Sequence, residues 1–288
     1  MKYMHFNSSC PYAGLANMLA LAGHDTEDFQ IAIDMNLPLL LHYDQETGYY
    51  QAGASLQSAR WFNLYLNPRG YRYVEAPYAK GDVLSLLKPG TMLGMEISPQ
   101  SRHAVVFLGE ENGIYRFLNN KWESTPEPEL LDLSPQECLE RLSDRVIMGH
   151  LEQQEASPVD FIPLFKEALA TWDCLRMELL RFIACEQSPQ AMREAMNRLF
   201  RPLLLDGLTM LQLLGCEEQV QHLTELQGKF LQTIRRGQAT RLSNDISPAD
   251  IHQAIDGFTQ LITEKMDATT AQSACENNKE HHNGQAIS

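Results

Sequence analysis

The chain has 288 residues, of which 44% are apolar, so it is long enough for two domains with buried cores. Acidic residues outnumber basic ones by 37 to 23, and the formal net charge of −14 repels phosphate backbones, so nucleic acid is not an expected partner. No stretch approaches the roughly 20 uninterrupted apolar residues of a membrane-spanning helix. No long apolar run follows Lys2, as a secretory signal would require. We therefore expect a cytoplasmic protein without a membrane partner.

The six cysteines do not form a pattern typical of a metal site. None belongs to a CxxC pair, and none has a histidine at zinc-ligand spacing. Glycine-rich phosphate loops of the GxGxxG or GxxxxGK[ST] type are absent from the sequence. We expect no metal and no cofactor, and thiols rather than disulfides in a reducing compartment.

The first part of the chain mixes helix and strand patterns. The apolar spacing of residues 11–21 predicts a helix, and Glu111-Asn112-Gly113 is a strong tight-turn signal. Strands are predicted over residues 91–97, 103–108 and 114–118. The expected first domain, residues 1–130, is therefore a helix packed on a small antiparallel sheet.

The second part of the chain is predicted to be helical. Four Ser-Pro pairs resemble helix starts, at residues 134–135, 157–158, 188–189 and 247–248. Helices are expected over about 189–214, 217–236 and 248–266, where apolar residues recur at helical spacing. The fold class is thus α+β, with an all-α domain at 131–268. The polar residues 269–288 are expected to be disordered.

Cys10 is the cysteine most suited to chemistry. Pro11 fits the first turn of a helix, so Cys10 lies at or just before the helix start. Free N–H groups and the positive end of the helix dipole stabilise a thiolate there, and the same N–H groups can donate to a developing oxyanion. The alternative is a small buried residue that packs the helix on the sheet.

His103 is the histidine placed best to act as a base. It opens a predicted strand, and the next strand ends at Asn119-Asn120. Because a hairpin returns the chain to its start, an asparagine there can reach the imidazole ring and orient it. The alternative is that the two asparagines only form a turn.

The order of Cys10 at a helix start, His103 opening a strand and Asn119 after the next strand resembles that of papain-like cysteine enzymes. The stretch from His103 to Asn119 is especially similar to the leader-cleaving peptidases of bacteriocin exporters. The arrangement also resembles the butirosin-type biosynthetic acyltransferases, in which a Cys–His domain precedes a helical region and an acyl group passes from a carrier-protein thioester to an amine. The resemblance covers roughly residues 5–122.

This resemblance implies a Cys10–His103–Asn119 triad that works through a thioester. Papain-like peptidases place a glutamine several residues before the nucleophile, whereas this chain has Met4 six residues before it and Asn7 as the nearest amide. The oxyanion donors are then Asn7 or only backbone N–H groups, with Asn120 as a further candidate near the substrate. Tyr50 and Trp61 belong to an aromatic-rich segment that lines a substrate groove or, alternatively, packs a helix on the sheet.

Two classes of function follow. The first is an acyl-transfer enzyme, a peptide or amide hydrolase or an acyltransferase, whose substrate is a peptide, amide or thioester, free or bound to a carrier protein. The second is a papain-like scaffold without catalysis that binds a peptide or protein. The helical domain could also mediate homo-oligomers. A purely helical interaction protein is disfavoured by the strand patterns.

Overall fold

The structure is a computed structural model that describes residues 1–99 and 101–283, with residues 272–283 described by backbone alone. The chain forms two compact units. Unit 1 consists of residues 1–37 and 54–159, and unit 2 consists of residues 38–53 and 160 onward. The expected mixture of helix and sheet is confirmed.

Unit 1 is built on a six-stranded antiparallel sheet with the strand order β3-β8-β4-β5-β6-β7. Its strands are β3 (Tyr71–Ala79), β4 (Met92–Ser98), β5 (Ser101–Glu111), β6 (Ile114–Asn119), β7 (Leu130–Leu133) and β8 (Arg145–Gln153). Apolar side chains of five strands form one buried cluster with the short helices α4 (Val83–Leu86) and α5 (Pro135–Glu140). The cluster includes Val83, Leu93, Val105, Phe107, Phe117, Leu131, Cys138 and Val146.

The predicted hairpin is present as β5 and β6. The two strands pair from Val105 with Asn119 to Glu111 with Ile114. Asn112 and Gly113 join them with φ angles of 54° and 79°, the left-handed values that the tightest hairpin turns require at both central positions.

Three strands of this sheet, β3, β7 and β8, were missing from the sequence prediction. β7 begins at Leu130, β8 follows it, and β8 pairs with both β3 and β4, so unit 1 continues to Val159 rather than ending at 130. The helix prediction from residue 134 onward was therefore wrong for β8. Val146 and Met148, two residues apart, are both buried in the core of the sheet, as in a strand. The pairing of this segment with β3 and β4 therefore overrides its local helix propensity.

Helix α1 (Cys10–Leu21) is the central helix of unit 1. Every side chain from Tyr12 to Leu19 is buried, and the helix packs on β5. The ring of Tyr12 packs edge-on against Phe62, and its hydroxyl donates to the carbonyl of Leu56. A helix that is buried on all sides is held firmly, which fixes the position of its first residue.

The helices α2 (Asp28–Asp34) and α3 (Ala59–Leu66) complete unit 1. α2 packs on α1, and α3 packs on β3. β3 is the edge strand, separated from β5 by β8 and β4, which places it about 14 Å away at ordinary strand spacing.

Unit 2 is not all-α, in contrast to the prediction. It begins with a hairpin of β1 (Leu41–Asp44) and β2 (Tyr49–Ala52), which packs on helix α6 (Ile162–Ala184). A second short ribbon pairs β9 (Glu186–Gln187) with β10 (Thr240–Arg241). Residues 38–53 precede most of unit 1 in the chain, so no single cut in the sequence separates the two units.

The predicted helices of unit 2 are largely present. They are α7 (Pro189–Ala195), α8 (Leu208–Leu214), α9 (Glu217–Arg235) and α10 (Pro248–Asn283). Wide π-type turns fill residues 196–207 between α7 and α8, around Pro202, which has no N–H to donate to the preceding turn. The start predicted at Ser157 was wrong, since α6 begins at Ile162.

Stacked rings fill the core of unit 2, with centroid distances of 4.4 Å for Trp172 on Phe258 and 3.9 Å for Phe200 on Phe230.

The predicted disordered tail coincides in part with α10. That helix runs from Pro248 to Asn283, so residues 269–283 are helical, and residues 284–288 lie outside the described residues. Across the described part of the chain, we find no helix with both the length and the apolar character that crossing a membrane requires.

Candidate active site

Cys10 is the first residue of α1. Ser9 is the N-cap residue, but its side chain makes no capping hydrogen bond, and Pro11 occupies the first turn. Ser8, one residue earlier, has a positive φ of 61°, a conformation that serine rarely adopts. The chain therefore turns sharply into the helix, and the Ser9 side chain does not cap the N–H groups of its first turn.

Cys10 is half-buried, and desolvation raises the pKa of its thiol above the ordinary value of 9.0. Backbone N–H groups of Ala104 and of Cys10 itself oppose this by hydrogen bonding to the sulfur, and the rise is the net result. The position of Cys10 at a helix start predicts a depressed pKa. The structure reverses that direction, because desolvation outweighs the two N–H donors.

The Ala104 contact brings two distant parts of the chain together. Ala104 follows His103 directly on β5, so the sulfur of Cys10 lies against the backbone beside the candidate base. We find no hydrogen bond between the Cys10 sulfur and the His103 ring among the described residues.

The His103 ring is held by an asparagine at Nδ1. Asn119 Oδ1 lies 2.9 Å from Nδ1, and Asn119 Nδ2 donates to the carbonyl of Pro128 at 3.0 Å. Because the Pro128 carbonyl can only accept, the amide oxygen of Asn119 must face the ring. His103 Nδ1 therefore carries the proton, and Nε2 is an acceptor in the neutral ring.

Ser101 occupies the other side of the ring. Its Oγ lies 3.0 Å from His103 Nε2, so the hydroxyl donates to the nitrogen that a general base would use. This contact was not predicted from the sequence, although the two-residue spacing on one strand places both side chains on the same face.

Asn120 joins the first helix to the sheet. Its Nδ2 donates to the Ala104 carbonyl at 2.7 Å, and its Oδ1 accepts from Asn17 Nδ2 at 2.6 Å. Asn120 is fully buried. Both ends of its amide therefore serve to dock α1 on β5, which differs from the substrate-contacting role that was predicted for it.

The segment before Cys10 is anchored at several points. The buried carboxylate of Asp28 accepts from the backbone N–H and the Nδ1 of His5, both at 2.7 Å. The Met4 N–H donates to the Lys121 carbonyl at 3.0 Å. These bonds fix the direction in which the chain approaches the nucleophile.

Asn7 and Ser9 lie in the turn that leads into α1. Asn7 is exposed, while Ser9 is fully buried and its Oγ has no hydrogen-bond partner. The sequence indicates Asn7 as the nearest amide but does not indicate Ser9, because burial of a hydroxyl beside the nucleophile is visible only in three dimensions.

Tyr50 and Trp61 belong to different units. Tyr50 belongs to unit 2, where its hydroxyl donates to Glu178 at 2.8 Å, and Trp61 lies on α3 of unit 1 with 5% of its surface exposed. Helix α3 packs on β3, at one edge of the sheet, whereas His103 lies on β5. This position favours a packing role for Trp61 over contact with His103.

Five cysteines are described, and all are free thiols: Cys10, Cys138, Cys174, Cys185 and Cys216. Within the described residues no group of three or more His, Cys, Asp or Glu side chains could hold a metal ion.

One of the solved structures that this chain resembles is similar only at a low level. The peptidase domain of Streptococcus ComA, a bi-functional ABC transporter involved in quorum sensing, is 14% identical, with a TM-score of 0.35. The similarity covers 53% of this chain and 96% of that domain. No family model matches the sequence. No curated protein matches it either.

Proposed function

We propose that unit 1 is a papain-like cysteine domain that catalyses acyl transfer, with Cys10 as nucleophile, His103 as base and Asn119 as the residue that orients the base. One observation carries this proposal. The backbone N–H of Ala104 lies near enough to the sulfur to lower the pKa of Cys10, and its neighbour His103 is held at Nδ1 by Asn119 at 2.9 Å. A thiol close to the backbone next to a histidine, and a histidine held by an asparagine, support the arrangement that such chemistry needs.

The raised pKa of Cys10 defines the first step. Since the neutral thiol dominates near pH 7, His103 Nε2 must take the proton as the sulfur attacks the substrate carbonyl. The S–C bond forms and a tetrahedral oxyanion develops. The bond to the leaving amine or thiol then breaks, and Nε2 returns the proton to the leaving group. Before His103 Nε2 can take the thiol proton, the hydrogen bond from the Ser101 hydroxyl to Nε2 must break.

The resulting thioester on Cys10 is open to two acceptors. Water gives hydrolysis of a peptide or amide, and an amine gives transfer of the acyl group. We propose a peptide, amide or thioester as the substrate class, free or bound to a carrier protein. The proposed donors to the oxyanion are the backbone N–H of Cys10, at the start of α1, and the side-chain amide of Asn7.

The test is alkylation by iodoacetamide at pH 7.5, followed by peptide mapping. We expect Cys10 to be modified in the wild-type protein and at least tenfold more slowly in His103→Ala, in line with the loss of a general base. Cys174 is exposed and serves as the internal control, with the same rate in both proteins. A Cys10 rate that does not depend on His103 contradicts the proposal.

A second candidate function is a papain-like scaffold that binds a peptide without catalysis. Two observations favour it: desolvation raises the pKa of the Cys10 thiol, and Ser101 occupies His103 Nε2. Incubation with a simple acyl thioester of N-acetylcysteamine separates the two functions. An enzyme gains the acyl mass on Cys10, and a scaffold does not.

A further inference from the structure

Glu127 lies beside the candidate base, in the loop that follows β6. Its Oε2 is 3.7 Å from His103 Nδ1, too far for a hydrogen bond and close enough for strong attraction to a positive ring. The Nδ1 proton is already donated to Asn119. Glu127 therefore acts on the charge of the ring, whereas Asn119 acts on its orientation.

The surroundings of this carboxylate oxygen strengthen the argument. Glu127 Oε2 is buried and has no hydrogen-bond partner. Withdrawing a carboxylate oxygen from water without a hydrogen bond is costly unless an opposite charge lies nearby. The only basic group that the structure pairs with it, among the described residues, is the His103 ring.

The Cys10–His103–Asn119 arrangement has no negatively charged member, so the carboxylate of Glu127 would add a charge that it lacks. Asn119 can orient an imidazole but brings no negative charge to stabilise the imidazolium that forms when His103 accepts a proton. A carboxylate at 3.7 Å brings that charge without competing for the Nδ1 proton.

We propose that Glu127 is a positioning residue that stabilises the protonated form of His103 and so supplies the negative charge that the Cys10–His103–Asn119 arrangement lacks. This inference deepens the proposed function, since its catalytic meaning rests on His103 acting as the base. The charge itself is a property of the resting protein and can be measured without a substrate.

Few other charged or titratable groups lie near the ring. Cys10 meets the backbone beside His103 from α1. Lys121, in the same loop as Glu127, is buried and donates from Nζ to the Thr125 carbonyl at 3.0 Å. Arg102 precedes His103, but its guanidinium donates to the Gly94 carbonyl and the Ser143 hydroxyl.

The experiment is an NMR titration of the His103 ring in the full chain, with its signal assigned by its loss in His103→Ala. In Glu127→Gln, which keeps the shape and removes the charge, we expect the titration midpoint of His103 to fall by about one pH unit. Glu127→Asp should restore at least half of that shift. Glu123→Gln removes an exposed charge from the same loop and should leave the midpoint unchanged.

The outcomes separate this inference from the proposed function. Equal His103 midpoints in wild type and Glu127→Gln overturn the role of Glu127, even if Cys10 alkylation depends on His103. A shifted midpoint together with Cys10 alkylation that ignores His103 supports the charge effect and contradicts the proposed function. Unchanged signals of the other histidines show that the variant is folded.

Discussion

Asn17 Nδ2 donates to Asn120 Oδ1 at 2.6 Å, a bond that joins the middle of α1 to the chain just after β6, 103 residues away. Asn17 also donates to the Ala13 carbonyl, and its Oδ1 accepts from the Lys2 N–H. The helix that carries Cys10 is thereby tied to the strand that carries Asn119.

Removing this bridge should loosen the site and lower stability. In Asn120→Ala, the buried Ala104 carbonyl and the Asn17 amide lose their partner, which costs about 1–3 kcal/mol in the free energy of unfolding. Urea denaturation followed by circular dichroism measures the loss. The matched control is Asn7→Ala at an exposed position, for which we expect a change within about 0.5 kcal/mol.

Loss of the orienting amide should slow the chemistry more than it affects the fold. In Asn119→Ala, His103 Nδ1 loses its acceptor, and we expect Cys10 alkylation near pH 7.5 to slow by about ten- to a hundredfold. Asn119→Asp keeps an acceptor and should retain most of the rate. An Asn119→Ala protein that reacts at the wild-type rate would show that the orientation of the ring is irrelevant.

Removing the hydroxyl that is bonded to His103 Nε2 should speed the alkylation of Cys10. In Ser101→Ala, His103 Nε2 is no longer occupied by the hydroxyl at 3.0 Å and becomes available to the thiol. We expect Cys10 alkylation to accelerate by about two- to tenfold, the equilibrium worth of one neutral hydrogen bond. Ser98→Ala, at the end of β4, is the control, and a slower reaction in Ser101→Ala would mean that Ser101 assists the base.

Gly14 marks the closest approach of α1 to the sheet. A methyl group there would overlap the Met92 sulfur and lie 2.8 Å from Asn120 Nδ2, so Gly14→Ala should destabilise unit 1 by about 1–3 kcal/mol. Gly228 on α9 has open space around it, and Gly228→Ala should stabilise by about 0.5–1 kcal/mol. Equal effects of the two substitutions on the thermal unfolding midpoint would contradict this tight packing.

The burial of Cys10 has a consequence for pH. Its raised pKa means that the folded state favours the neutral thiol, so this contribution to stability is fully present below the thiol's unfolded pKa and is lost as pH rises through the folded value. In His103→Ala, alkylation of Cys10 should therefore keep increasing with pH beyond 9.0, the ordinary thiol value. A profile that levels off below pH 9 in this variant would show that the thiol is less buried than the structure has it.

The His103–Asn119 contact and the β5–β6 hairpin were accessible from sequence because their signals are local. Asn112-Gly113 demands positive φ angles that few residues adopt, so the turn and the strands on either side follow from residue type alone. The same hairpin sets His103 and Asn119 within reach of each other, and helix starts at Ser134, Ser188 and Ser247 follow from capping chemistry.

The sequence by itself thus determined the local elements and the chemical types that could act, because turn and cap preferences are properties of a few neighbouring residues. Only the tertiary structure decided which strands complete the sheet, that residues 38–53 belong with the second unit, and that Ser101 and Glu127 flank His103. It also decided the direction of the Cys10 pKa, since burial arises from the packing of the whole unit and no residue pattern near Cys10 encodes it.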